Sequence, residues 1–243
     1  MNIVKIGWSG GKDSTCSVIK NIEAGNQVKA VCYIPMLNKT IPLISKQHYN
    51  FILNTADRFR SLGAEIYIVS GISYYNYVTH RSLKGKYKGQ IFGFPCFKKG
   101  QCGFKRDSKE TAIRECDVGY YDYIDIGIAY DEKKRHNQLH FFKRSILVEQ
   151  KITETAAKWF CAKNNLLSPH YGNQKRDGCA LCPHAPKYER DNWFKDYPEA
   201  IHVVIELQEI VKQERPDRTP LRNYEWFIDS SPKPQLSLFD FQR

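Results

Sequence analysis

The stretch "NIVKIGWSGGKDSTCSVIKNIEAGNQVKAVCYI", residues 2–34, decides the fold. Its opening "NIVKIGW" is a short β-branched run and predicts a strand. "GGKDSTCSVIKNIEAG" follows with helical spacing and stops at Gly25, and "QVKAVCYI" predicts a second strand. Further along, "SKQHYNFILNTADRFRSLG" sets Phe51, Ile52, Thr55, Ala56, Phe59 and Leu62 three and four residues apart. That is the stripe of an amphipathic helix, here stopping at Gly63. "AEIYIVSG" predicts a third strand. Strand–helix–strand–helix–strand in direct succession predicts an α/β fold: a mostly parallel sheet with helices on both faces, Rossmann-like.

Residues 71–119 are less regular and rich in Tyr, Lys and Gly. "YDYIDIGIAY" predicts a later buried strand, and "TETAAKWFCAKNNL" a helix with Thr153 as N-cap. Residues 168–187 read as a loop carrying "GCALCPHAP", and "AIHVVIELQEIVKQE" as a further helix. From Pro216 the chain turns polar and Pro-punctuated, so residues 1–215 are expected to form one domain and residues 216–243 a tail.

The 243 residues suffice for a full hydrophobic core. A formal net charge of +11 favours polyanionic partners, nucleic acid or phosphate-rich small molecules, or else marks a solvated basic surface. The start "MNIVKIGW" lacks the basic opening and long apolar run of a signal peptide, and no stretch has the roughly 18 apolar residues of a membrane span. A soluble, cytoplasmic protein with no membrane partner is expected.

Ser9, Gly10, Gly11, Lys12, Asp13, Ser14 and Thr15 fall between the first strand and the first helix. Glycines there let the backbone turn tightly with its N–H groups inward, which makes an anion-binding nest. The helix adds its positive N-terminus, Lys12 a charge, and the hydroxyls further donors. The glycine spacing differs from the nucleoside-triphosphate P-loop. It matches instead the Ser-Gly-Gly-x-Asp-Ser loop of the PP-loop ATP pyrophosphatase (adenine nucleotide alpha hydrolase) superfamily. That resemblance implies binding of the pyrophosphate part of ATP, or of the sulfate or phosphate of a related adenylyl compound, with Asp13 helping to place Mg2+.

Eight cysteines occur. Cys179 and Cys182 in "GCALCP" have the spacing of two thiolates on one metal, and Cys96 and Cys102 lie upstream in "FPCFKKGQCGF". Four thiolates suit tetrahedral zinc (Zn2+) or an iron–sulfur cluster, with His184 as a competing fourth ligand. Cys16, Cys32, Cys116 and Cys161 lie in predicted strands or helices and read as small core residues.

Taken together, the chain resembles the phosphoadenosine phosphosulfate (PAPS) reductase family, in its phage and mobile-element branch. The resemblance runs from about Ile3 to about residue 210. It rests on "SGGKDST", "KGQIFGFPCFKKGQC", "IDIGIAYDEKKR", "KRSILVEQKITETAAKWF" and "LLSPHYGNQKRDGCALCPHA". It implies a [4Fe-4S] cluster near the nucleotide on Cys102, Cys179 and Cys182, with Cys96 as the fourth ligand. It also implies that Asp131, Glu132 and Arg135 face the nucleotide or substrate, against the plain alternative of a charged turn. Lys143 and Arg144 either meet phosphate or sulfate or are exposed.

Two departures matter. The strand that ends in Asp-Thr-Gly in many relatives reads "VCYIPM" here. The sulfonucleotide reductases attack sulfate with a cysteine in a C-terminal Glu-Cys-Gly-x-His segment, and this chain has no cysteine after Cys182. The expectation is therefore ATP-dependent adenylation with sulfur transfer, as in the DNA phosphorothioation and tRNA thiolation relatives, with DNA or tRNA as acceptor and a cysteine desulfurase as partner. Sulfonucleotide (PAPS) reduction and a non-catalytic zinc module are the alternatives. In the tail, "QLSLF", Gln235–Phe239, reproduces the pentapeptide by which bacterial proteins dock on the DNA sliding clamp, or is an apolar strap folded on the protein itself.

Overall fold

The computed structural model describes residues 1–95, 97–98, 101–173, 178–221 and 225–228. Strand β1 (Ile3–Trp8), helix α1 (Lys12–Glu23), β2 (Gln27–Tyr33), α2 (Lys46–Ser61) and β3 (Glu65–Val69) follow the expected alternation, with bounds shifted by one or two residues. Next come α3 (Tyr74–Thr79), the short antiparallel pair β4 (Phe97–Lys98) and β5 (Gln101–Cys102), and α4 (Gly103–Glu115). The chain continues through β6 (Tyr123–Asp125), α5 (Lys133–His136), β7 (Lys143–Arg144), α6 (Ile146–Glu149), α7 (Glu154–Lys163), α8 (His170–Asn173), α9 (Lys187–Asp196) and α10 (Ala200–Glu214). The main sheet has the order β3-β2-β1-β6-β7 and is parallel throughout.

Alternation assigns the two faces of this sheet. Val4, Ile6 and Trp8 sit in register with Val28, Ala30 and Cys32. All are buried, packed with Cys16 and Val18 of α1, Ile52, Ala56 and Phe59 of α2, and Ala157 and Cys161 of α7. The opposite face presents Lys5 and Lys29. Lys5 Nζ donates to Ile113 O at 3.3 Å, and Lys29 Nζ to Val118 O at 2.7 Å and Tyr120 O at 3.2 Å. Two ammonium groups rest on a covered sheet face because they end on carbonyls at and beyond the C-terminal turn of α4. Tyr33 OH donates to Ser108 Oγ of the same helix at 2.9 Å. Helices therefore cover both faces.

A second apolar cluster joins α3, α4, α9, α10 and the 179–182 turn through Tyr74, Phe104, Leu181, Trp193 and Leu207. Phe227 packs into it, and the Gln208 side chain exchanges two 2.9 Å hydrogen bonds with the Ile228 backbone. Among the described residues no helix is long and apolar enough to cross a membrane.

The structure corrects several expectations. The segment expected to be irregular holds the 13-residue α4, whose buried residues are Phe104, Ser108 and Ala112. They form a stripe four residues apart, but only two are apolar, so the helical period is faint. "YDYIDIGIAY" contributes only Tyr123–Asp125 to the sheet. The stretch read as the 168–187 loop contains α8, and α9 begins at its end. Leu62, assigned to the buried stripe, is 48% exposed because it follows the last turn of α2. Cys16, Cys32 and Cys161 are core residues as expected, while Cys116 ends α4 half-buried.

Asp125 lies between β1 and β7 and is fully buried. It accepts from Ile146 N at 2.9 Å and Asn21 Nδ2 at 3.2 Å. Burial outweighs these donors and pushes its carboxyl up to about 6. The native state then holds this proton more tightly than the unfolded chain. The group's contribution to stability is complete below about pH 4 and is lost as pH rises through about 6. Relative to Asp125→Asn, the wild type is expected to lose roughly 3 kcal/mol across that window. Urea unfolding at its two ends measures the difference.

Candidate functional site

Strand order reverses at β1, whose neighbours β2 and β6 lead to opposite sides. Crevices at such switch points are where open α/β sheets bind ligands. The 9–15 loop leaves the C-terminal end of β1 there. Gly10 has φ +73°, and a Cβ on it would come within 2.8 Å of His48 Cε1 and 2.9 Å of Ile52 Cγ1. Glycine is thus required both by conformation and by the approach of α2. Opposite, a Cβ on Gly127 would stand 2.7 Å from Ser14 N and 2.9 Å from the Asp13 carbonyl carbon. The turn after β6 consequently lies against the first turn of α1.

Hydroxyl groups hold the loop. Ser9 N donates to Ser14 Oγ at 3.2 Å, Gly11 N to Ser9 Oγ at 3.4 Å, and Lys12 N to Tyr171 OH at 3.0 Å. Trp8 Nε1 donates to Thr15 Oγ1 at 3.0 Å and ties helix to strand. These oxygens occupy the donors that an anion's oxygens would take. Gly11 caps α1 without a side-chain hydrogen bond.

Lys12 Nζ lies 2.7 Å from Asp13 Oδ2 and 3.3 Å from Glu154 Oε1. Burial works against the Lys12 charge, but these two carboxylates outweigh it and hold its pKa above the ordinary lysine value. Burial also pushes the Asp13 carboxyl up against the pull of Lys12, and Glu154 and Glu132 add repulsion. Asp13 Oδ1 is buried and has no hydrogen-bond partner among the described residues. A buried carboxylate oxygen with a spare lone pair, beside an anion loop, suits a divalent cation carried by a phosphate chain.

Glu132 is therefore close enough to Asp13 to influence it. Its own carboxylate accepts from Ala129 N at 3.1 Å and pairs with Arg135. Asp131 accepts from Glu154 N at 3.0 Å, which places it at the start of α7. The acidic pair thus frames the loop while holding the local turn. Lys143 and Arg144 form the outer strand β7 and are exposed, and the Arg144 guanidinium lies 4.7 Å from the centroid of the Tyr123 ring.

A cavity of about 760 Å³ opens beside the loop. Ser9 lines it, as do Cys102, Cys179, Cys182 and His184. Lys105, Arg106 and Lys109 of α4 line it too and make it cationic. Cys102 caps α4 without a side-chain hydrogen bond. Burial pushes this thiol up against the pull of the nearby Lys105 and Phe104 amides, and Cys182 adds to the rise. Cys96 lies outside the described residues, as does the Gln235–Phe239 pentapeptide. Among the described residues no three His, Cys, Asp or Glu side chains are gathered closely enough to hold a metal ion. The cysteines share a cavity without forming a closed ligand set.

Several site residues escape a reading of the sequence. The buried Ser168 hydroxyl lies 2.8 Å from His48 Nδ1 and 2.7 Å from His170 Nδ1. This cluster supports Gly10 from below, and Tyr171 reaches Lys12 beside it. The "SPHY" run was visible, but its partner His48 is 120 residues from Ser168 in the chain. The cationic face of α4 went unseen with its helix.

The fold is a Rossmann-like α/β arrangement with a glycine loop at the sheet's switch point. No protein-family model matches the chain, and no curated protein matches it. Gly127→Ala is expected to destabilise the protein by roughly 1–3 kcal/mol through the added methyl. Gly172→Ala, with nothing within 4 Å of its Cβ, should leave stability unchanged. Thermal unfolding checks both.

Proposed function

We propose that the chain is an adenine-nucleotide-binding enzyme of the cytoplasm that activates an acceptor oxygen with ATP and exchanges it for sulfur. The observation that supports this most is the buried, unpartnered Asp13 Oδ1 beside the Lys12 ammonium, in a glycine loop at the end of β1. The acceptor oxygen attacks the α-phosphorus of ATP. The bond from that phosphorus to the bridging oxygen breaks, and pyrophosphate leaves with the electron pair. A hydrosulfide, released from a cysteine desulfurase's persulfide by a thiol reductant that is oxidised to a disulfide, then attacks the activated centre, and AMP departs with the former acceptor oxygen and its electron pair. Lys12 and the N–H groups at the start of α1 stabilise the charge that builds on the phosphates. Asp13 offers an oxygen to Mg2+, which when bound neutralises phosphate charge.

The cysteine-lined cavity beside Ser9 favours sulfur chemistry over simple hydrolysis. In this reading Cys102, Cys179 and Cys182, which line one cavity, would draw together with Cys96 to hold an iron–sulfur cluster when it is bound, zinc being the alternative. Iron, sulfide and zinc analysis of anaerobically purified protein decides between them. Cys179→Ala is expected to lose the metal.

Incubation with Mg2+ and ATP, with candidate acceptors, is expected to yield AMP and pyrophosphate. Lys12→Ala should slow this by about 100-fold or more, on the scale of removing a transition-state donor, and Ser9→Ala should slow it as well. Adenosine bisphosphate and sulfite from PAPS would replace this reading with sulfonucleotide reduction. The Gln235–Phe239 peptide is proposed to dock the enzyme on the sliding clamp. Deletion of residues 232–243 should abolish clamp binding, and unchanged binding would remove that part of the reading.

A further inference from the structure

Between β6 and β7 the chain reads "KKRHNQLHFFKR", residues 133–144, with five Lys or Arg and no acidic residue. All five cations are exposed. The acidic residues just before it are turned to other tasks. Asp131 accepts from Glu154 N, and Glu132 binds Ala129 N and Arg135. Phe141 is 75% exposed and Phe142 57%. Their ring centroids stand 4.2 Å apart, and His140 lies 4.3 Å from Phe141. Rings this exposed gain little from burial, so packing does not account for two phenylalanines at the surface.

We infer that residues 133–144 are a docking surface for single-stranded DNA. Lysines along the segment meet the phosphates. The exposed ring faces stack on unpaired bases, a contact that tolerates any sequence and that a duplex, with its bases already stacked, does not offer. A lipid surface would also accept cations and rings. This segment, however, follows Asp131, which accepts from Glu154 N, and Glu154 Oε1 lies 3.3 Å from Lys12 Nζ, so the segment starts near the 9–15 loop. The choice of DNA over RNA rests on the proposed docking of Gln235–Phe239 on the sliding clamp. The inference deepens the proposed function by naming the acceptor's class and rests on that reading for the acceptor role. DNA binding itself is measured without ATP, so either can fail while the other stands.

The test is fluorescence anisotropy of the full chain with labelled oligothymidylate, a DNA duplex of equal length, an oligouridylate and anionic phosphatidylserine vesicles, at two salt concentrations. The wild type is expected to bind the single-stranded DNA tightest. Phe141→Ala/Phe142→Ala should weaken that binding about tenfold or more while leaving duplex binding nearly unchanged. Lys133→Gln/Lys134→Gln should lower the salt slope by about 1.4, at roughly 0.7 per phosphate contact on a single strand. These side chains are exposed, so the variants should melt as the wild type does. No binding to single-stranded DNA, equal loss on duplex in the Phe variant, or preference for the oligouridylate or the vesicles would each overturn the inference.

Discussion

Everything at the site depends on how closely the turn after β6 approaches the first turn of α1. Gly127 leaves no room for a methyl group against Ser14 N, and Gly10 leaves none against His48 and Ile52. The 9–15 loop is thereby gripped from two sides. Its Ser9, Gly11 and Lys12 amides donate to the Ser14, Ser9 and Tyr171 hydroxyls. Backbone donors fixed in this way would need no reorganisation to meet a negative charge.

The charges around the loop follow from that confinement. Lys12 and Asp13 are adjacent in the chain and both largely covered, so each raises the other's cost of standing alone. Their pairing leaves one Asp13 oxygen buried and without a hydrogen-bond partner among the described residues. A natural structure keeps few such atoms, and a bound cation is one way to satisfy this one. Glu132 and Glu154 add negative charge nearby, which a phosphate-bound cation would offset.

The cavity beside the loop joins segments far apart in the chain. One wall is α4, with Lys105, Arg106, Lys109 and Glu110, and another is the turn bearing Cys179 and Cys182. Cys102 lies at the junction, at the N-terminus of α4. The excess of cations on that wall would favour an anionic ligand over a cationic one.

Local order was enough to read the parallel alternation, the loop and one helix cap. β1, β2 and β3 are rich in β-branched and apolar residues, and Thr153, legible as a cap, closes the start of α7 with its hydroxyl, while Ser45 does the same for α2 without having been singled out. The 9–15 loop was legible because glycines, Lys12 and Asp13 stand together between a strand and a helix. Tertiary structure decided the rest. α4 carries its signal in Phe104, Ser108 and Ala112, and it is tied to the sheet by Lys5 and Lys29, which donate to the carbonyls at and beyond its end. The His48–Ser168–His170 cluster joins residues too far apart in the chain for any spacing to reveal. The physical reason is the same in each case: neighbouring residues dictate backbone period and turns, whereas burial, partners and charge environment are set only when distant segments pack.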